Sequence, residues 1–166
     1  MKRNVRVLVA SALFAALVCV ATMIIRIPSP LKGYINLGDC AVLLAGWLLP
    51  PVFSFLAAGM GSAFSDVFSG YFIYAPATFL IKGLVALTAY SLYKLISRKT
   101  KDVFAATVSG VSAEIVMVAG YYVFEGFMYG FRASVVNILP NAIQGIEGLI
   151  LGILLFDVFR KTKIKL

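Results

Sequence analysis

Between Cys40 and Ser65 the chain runs 26 residues without a charged side chain, and Pro50-Pro51 falls in the middle of that run. A helix needs ~20 apolar residues to cross a bilayer, and in lipid every backbone group must be satisfied within the protein. The run therefore commits this stretch to one long span or to two spans turned at the prolines. With one span, the basic stretch Lys94 to Lys101 falls opposite the basic N-terminus. With a turn, it joins the N-terminus and the C-terminal RKTKIKL on one side. The excess of Lys and Arg on the cytoplasmic side selects the turn. Eleven of the fifteen cations then lie inside: Lys2, Arg3, Arg6, Lys94, Arg98, Lys99, Lys101, Arg160, Lys161, Lys163 and Lys165. The expected class is an all-α membrane protein, a six-transmembrane-helix bundle with cytoplasmic N- and C-termini, a short helix 2 and a long first outer loop. Residues 1–166 form one integral domain, with helices over about 6–25, 37–49, 51–69, 76–96, 103–127 and 137–159.

At 61% hydrophobic residues, against roughly 45–50% in soluble domains, the chain has no room for a separate nucleotide-binding or catalytic domain. Any energy source must come from elsewhere. The net charge of +8 is gathered at segment ends, which sets membrane orientation and argues against nucleic-acid binding. Cys19 and Cys40 are not placed as a disulfide framework, and histidine is absent. No structural metal and no cofactor are expected.

Polar residues inside the apolar runs carry the functional signal. NILPNAIQGIEG opens the last run, and there Asn141 and Gln144 share a helix face with Glu147 about 60° further round. An ionisable group at membrane depth costs roughly 2.5–3.5 kcal/mol, so such a face points into a bundle or a solvated cavity. Lys82, the only cation inside the apolar runs, falls about 9 Å below the outer end of its helix, with Thr78 one turn above. Snorkelling, pairing with Asp66 or Glu147, and contact with a ligand all fit this position. Glu114, Met117, Tyr121 and Glu125 follow helical spacing on the fifth span. Asp102 stands where it can cap that helix, and Asp66 lies near the outer end of the third span.

Six of the eight tyrosines, Tyr34, Tyr71, Tyr74, Tyr121, Tyr122 and Tyr129, fall in the outer half of this topology, which suits stacking on a flat ligand. The first loop, RIPSPLKGYINLG, is long and ends in Tyr34, Asn36 and Asp39; it reads equally as a lid or a solvated connector. In the first span Ser11 and Ala15, then Ala12 and Ala16, repeat small residues four apart, which lets another helix approach closely. GMGSAFSD carries Gly59 and Gly61, better explained by helix packing than by phosphate binding, since no Lys-Ser/Thr follows. Together the polar faces and tyrosine-rich loops describe a pocket for a small, partly aromatic, hydrogen-bonding solute. No catalytic constellation is present, so an enzyme is not expected.

The order GYINLGD, GMGSAFSD into GYFIYAPATFLIKG, AEIVMVAGYYVFEG and LPNAIQGIEG resembles the substrate-binding S components of energy-coupling factor (ECF) vitamin transporters. It is most similar to the subgroup for pyridoxine-type vitamins and the hydroxymethylpyrimidine precursor of thiamine. The resemblance implies a multi-pass protein of the bacterial plasma membrane that captures a vitamin outside. It also implies docking on a membrane coupling subunit joined to two ATPase subunits. On this likeness the docking surface maps onto Ser11, Ala12, Ala15 and Ala16, and a loop-1 gate onto Tyr34 to Asp39, with Asn36 inside it. The substrate site maps onto Lys82, Glu114, Tyr121, Asn141 and Gln144. For a pyridinol or aminopyrimidine, Glu114 and Asn141 are expected to pair with ring nitrogen or exocyclic groups, Gln144 to bind a hydroxyl, and Tyr121 and Tyr74 to stack. A proton-coupled carrier working through Glu114 or Glu147, and a protein that assembles a membrane complex, are the alternatives.

Overall fold

A computed structural model describes residues 2–31 and 33–162; Lys163 and Lys165 of the expected cytoplasmic cluster lie outside them. The chain forms α1 (Lys2–Ile24), a hairpin of β1 (Arg26–Pro28) and β2 (Tyr34–Asn36), α2 (Gly38–Leu48), α3 (Pro51–Phe68), α4 (Ala75–Ile96) and α5 (Asp102–Tyr129). A short α6 (Phe131–Ser134) leads through a 3-10 turn into α7 (Ile138–Lys161). Among the described residues, five helical stretches are long and apolar enough to cross a membrane, and α2, at 11 residues, is shorter.

The breaks follow from local chemistry. Leu49, which precedes a proline, is extended at ψ 155° and ends α2, while Pro51 opens α3 where its missing N–H costs nothing. Gly70 and Gly130 take φ of +83° and +93° in the turns after α3 and α5, a region open chiefly to glycine. Asp102 does not cap α5 by a side-chain hydrogen bond. It is the first helical residue, and its carboxylate accepts from the Tyr93 hydroxyl at 3.3 Å and from Arg160 at 3.4 Å. The first loop is also more ordered than its prolines and glycines imply. Arg26 pairs with Asn36 and Pro28 with Tyr34 in an antiparallel ladder, so this helical protein carries one small sheet.

Short α2 sits at the centre, packed against α1, α3, α4 and α7; around it α1 meets α3, α3 meets α4, α4 meets α5, and α5 meets α7. Ala41 to Trp47 are buried accordingly, and the Trp47 indole donates to Ser109 at 3.0 Å. Large apolar side chains such as Leu13, Phe68 and Leu139 lie on the outer surface, as a bilayer-facing exterior requires. Glycines set the closest crossings. Gly61 meets the Ala15 carbonyl of α1, which accounts for GMGSAFSD as a packing element, and a Cβ on Gly148 of α7 would lie 2.5 Å from the Cβ of Asp39 on α2. Gly148→Ala is expected to force α7 off α2 and to lower stability by about 1–3 kcal/mol. An unchanged melting temperature in detergent would contradict that close approach.

Candidate substrate-binding site

Beneath the β1–β2 hairpin the helices enclose a cavity of about 30 Å³, lined among others by Tyr34, Asn36, Asp66, Tyr71, Tyr74, Thr78, Lys82, Tyr121, Glu125, Asn141 and Gln144. Each element contributes by position. Tyr34 and Asn36 come from β2, Asp66 from the last turn of α3, and Thr78 and Lys82 from the first two turns of α4. Tyr121 and Glu125 stand one turn apart on α5, and Asn141 and Gln144 face inward near the start of α7.

The floor is a buried polar network. Lys82, on α4, pairs with Asp39, and its ammonium also lies 3.0 Å from the Met117 sulfur and 5.6 Å from the centroid of the Tyr121 ring. The partner is thus Asp39, not Asp66 or Glu147: Asp39 belongs to the first turn of α2, fully buried where α2 packs on α4, whereas Glu147 is exposed. Gln144 donates from Nε2 to the second Asp39 oxygen at 2.7 Å. Its Oε1 accepts from the Asn36 backbone N–H at 2.9 Å and from Asn36 Nδ2 at 3.1 Å. One amide therefore joins the hairpin to the ion pair.

The walls are aromatic. Tyr34 and Tyr71 have ring centroids 4.8 Å apart, Tyr71 and Tyr74 6.5 Å, and Tyr74 and Phe124 5.2 Å. The Tyr34 hydroxyl donates to Asp66 Oδ1 at 2.6 Å, and the Tyr74 hydroxyl donates to the Leu31 carbonyl at 2.7 Å. Burial, reinforced by the Asp66 carboxylate, pushes the Tyr34 phenol well above its ordinary pKa, so it remains a donor. Asp66 Oδ2 is buried without a hydrogen-bond partner. Tyr121 donates to Thr78 at 3.2 Å, and Asn137 Nδ2 donates to Glu125 Oε1 at 2.8 Å, leaving Glu125 Oε2 unpartnered. The site thus offers carboxylate acceptors and flat rings within one enclosure.

Of the candidate residues, Tyr34, Asn36, Tyr74, Lys82, Tyr121, Asn141 and Gln144 line this cavity. Glu114 does not. It lies about 10 Å along α5 from Tyr121, two turns away, with Met117 and its contacts to Lys82 and Gln144 between them. Its side chain meets Gly145 of α7 instead. Ser11, Ala12, Ala15 and Ala16 line a separate apolar groove with Phe53, Leu56, Met60 and Phe64 of α3, with Ala12 and Ala16 exposed. Asp39 and Asp66 are the central residues that the sequence undervalued. Hydropathy places both at segment edges, and their burial arises from contacts made by distant helices.

The model of the family described as "ECF-type riboflavin transporter, S component" matches residues 2–161. An uncharacterised protein of Pyrococcus woesei is 35% identical over 136 residues, covering 81% of this chain and 88% of its own. The thiamine precursor transporter HmpT of Lactococcus lactis subsp. cremoris is 23% identical over 168 residues, covering 98% and 92%. Among solved structures, the S component of a bacterial ECF transporter superposes with a TM-score of 0.73 at 26% identity, covering 96% of this chain and 98% of that one. An S component for biotin from an ECF-type ABC transporter gives 0.70 at 17% identity, over 96% and 93%, and shares the fold. The matched family and the two superposed structures are transporter S components, not enzymes. With five membrane-length helical stretches among the described residues and a family match along nearly its whole length, this chain belongs to the S components of ECF transporters, the substrate-binding, multi-pass plasma-membrane subunits of those importers.

Proposed function

We propose that this S component captures a single-ring vitamin or vitamin precursor, of the pyridoxine or hydroxymethylpyrimidine kind, on the outer side of the membrane. It delivers that compound inward when joined to a membrane coupling subunit and two ATPase subunits. In this reading α2 is a sixth span, the hairpin faces outward and both termini are cytoplasmic. The observation that carries the proposal is the buried Asp66 carboxylate, one oxygen held by Tyr34 and the other unpartnered, beside tyrosine rings. A carboxylate accepts from an exocyclic amine or hydroxyl and, when the ring nitrogen is protonated, from its N–H as well, and tyrosines stack on the ring. Asn141 and Lys82 supply further hydrogen bonds, Gln144 joins in when the hairpin releases its amide oxygen, and the full-length likeness to a thiamine precursor transporter supports the same substrate class.

The family description names riboflavin, and this is the second reading. Small-molecule sites typically enclose about 300–1,000 Å³, so the present cavity of about 30 Å³ must expand on binding. A three-ring flavin demands far more expansion than one ring. The test is titration of the purified chain with hydroxymethylpyrimidine, pyridoxine and riboflavin, together with mass spectrometry of any compound that co-purifies. Stoichiometric, nucleotide-independent binding of a single-ring compound is expected. Binding of riboflavin alone would overturn the substrate reading and leave the family assignment intact.

For coupling, the α1–α3 groove with exposed Ala12 and Ala16 supports docking of a partner helix. Ala16→Trp is expected to reduce co-purification with the coupling subunit by about tenfold or more while leaving vitamin affinity unchanged, since the groove and the cavity have no lining residue in common. Undiminished co-purification would move the docking surface elsewhere.

A further inference from the structure

Glu114 is 7% exposed, and neither of its carboxylate oxygens has a hydrogen-bond partner. A buried carboxylate left in this state is costly, so such a group calls for a role. It lines a cleft of about 440 Å³ between α5 and α7, walled by apolar side chains that include Ile115, Val118, Ala142 and Ile146. Ile115 and Ile146 are exposed on the lipid-facing surface, so the cleft opens sideways. No residue is shared with the cavity under the hairpin. The volume falls within the range of small-molecule sites, and their usual make-up, apolar walls with a few placed polar groups, is also present. Gly145 matters to this geometry: a Cβ there would lie 3.0 Å from Glu114 Oε2, so the absent side chain leaves room beside the carboxylate.

We propose that this cleft binds a membrane-dissolved amphiphile with a hydrocarbon body and a hydroxyl or amine tip, the tip donating to Glu114. Glu114 stands about 18 Å along α5 from Asp102 at 1.5 Å per residue, near the middle of the helix, which is too deep for a phospholipid headgroup. The occupant is accordingly a small alcohol or amine that partitions into the hydrocarbon. Its entry from the bilayer side is independent of the hairpin.

The test uses the full chain in phosphatidylcholine nanodiscs and 1-decanol carrying a chain diazirine, with crosslinks mapped by peptide mass spectrometry. Saturable labelling of Ile115, Ala142 or Ile146 is expected, displaced by 1-decanol or decylamine and not by decane. Glu114→Leu should weaken labelling by about tenfold or more. Glu114→Gln should retain displacement by the alcohol and lose that by the amine, which separates the two tips. Ala142→Phe, which fills the cleft from the opposite wall, gives the same loss without touching the carboxylate; circular dichroism and melting temperature report that each variant is folded. Non-saturable labelling spread over all lipid-facing helices, or labelling indifferent to both Glu114→Leu and Ala142→Phe, overturns the proposal. So does exclusion of the probe by a second protein chain crosslinked in the cleft.

Discussion

Lys82→Met is expected to lower the stability of the folded protein by about 3–5 kcal/mol, because it leaves Asp39 as an unpaired charge at zero exposure. The attraction within the pair is not what this number measures. It is the cost of stranding one buried charge, and replacing both charges by neutral groups of similar shape is often tolerated. The double variant Asp39→Asn with Lys82→Met should therefore recover most of the loss, since asparagine still offers an oxygen to the Gln144 amide that now donates at 2.7 Å. Unfolding in mixed micelles, followed for both singles and the double, checks the cycle. A single variant as stable as the parent, or a double less stable than either single, would mean that the pair does not organise the floor.

Asp66→Leu should weaken vitamin binding by about 10–100-fold, as removal of a charged hydrogen-bonding partner does. Its effect on the fold should be smaller, because the carboxylate lies at the end of α3 and accepts one protein hydrogen bond, from Tyr34. Tyr34→Phe separates the two roles. It deletes the hydroxyl that holds Asp66 while sparing the acceptor, so the expected loss is a fraction of that for Asp66→Leu. Calorimetric titration with the single-ring compound provides the measurement. Equal affinities for Asp66→Leu and the parent would take Asp66 out of the binding site.

The membrane class and the helix break at Pro50-Pro51 were legible in the sequence because each is a local property. A charge-free run reports its own solvent, and two prolines stop a helix wherever they stand. Lys82, Tyr121, Asn141 and Gln144 were visible for the same reason, as polar side chains in apolar runs. What each one touches was not. Lys82 lies 43 residues from Asp39 in the chain, and Gln144 lies 108 from Asn36; helical spacing says which residues share a face, not which helix that face meets. Glu114 shows the limit plainly. Its spacing from Tyr121 is right for one face, yet it lies two turns deeper, past Met117, where the neighbour is Gly145 and not the cavity. The hairpin was equally hidden, since strands of three residues leave almost no alternation to read.

The tie between hairpin and bundle has a kinetic consequence. Tyr34 to Asp66, Asn36 to Gln144 by two bonds, and Tyr74 to Leu31 tie the hairpin to the helices, and at a net ~1 kcal/mol per hydrogen bond the four add up to about 4 kcal/mol. Were the hairpin the gate through which the proposed vitamin enters, it would stand lifted for roughly one part in a thousand of the time, and the apparent affinity would be reduced by that same fraction. Arrival would be governed by waiting for the lifted state. The observed rate would climb with vitamin concentration and then level off at the opening rate, well short of diffusion control.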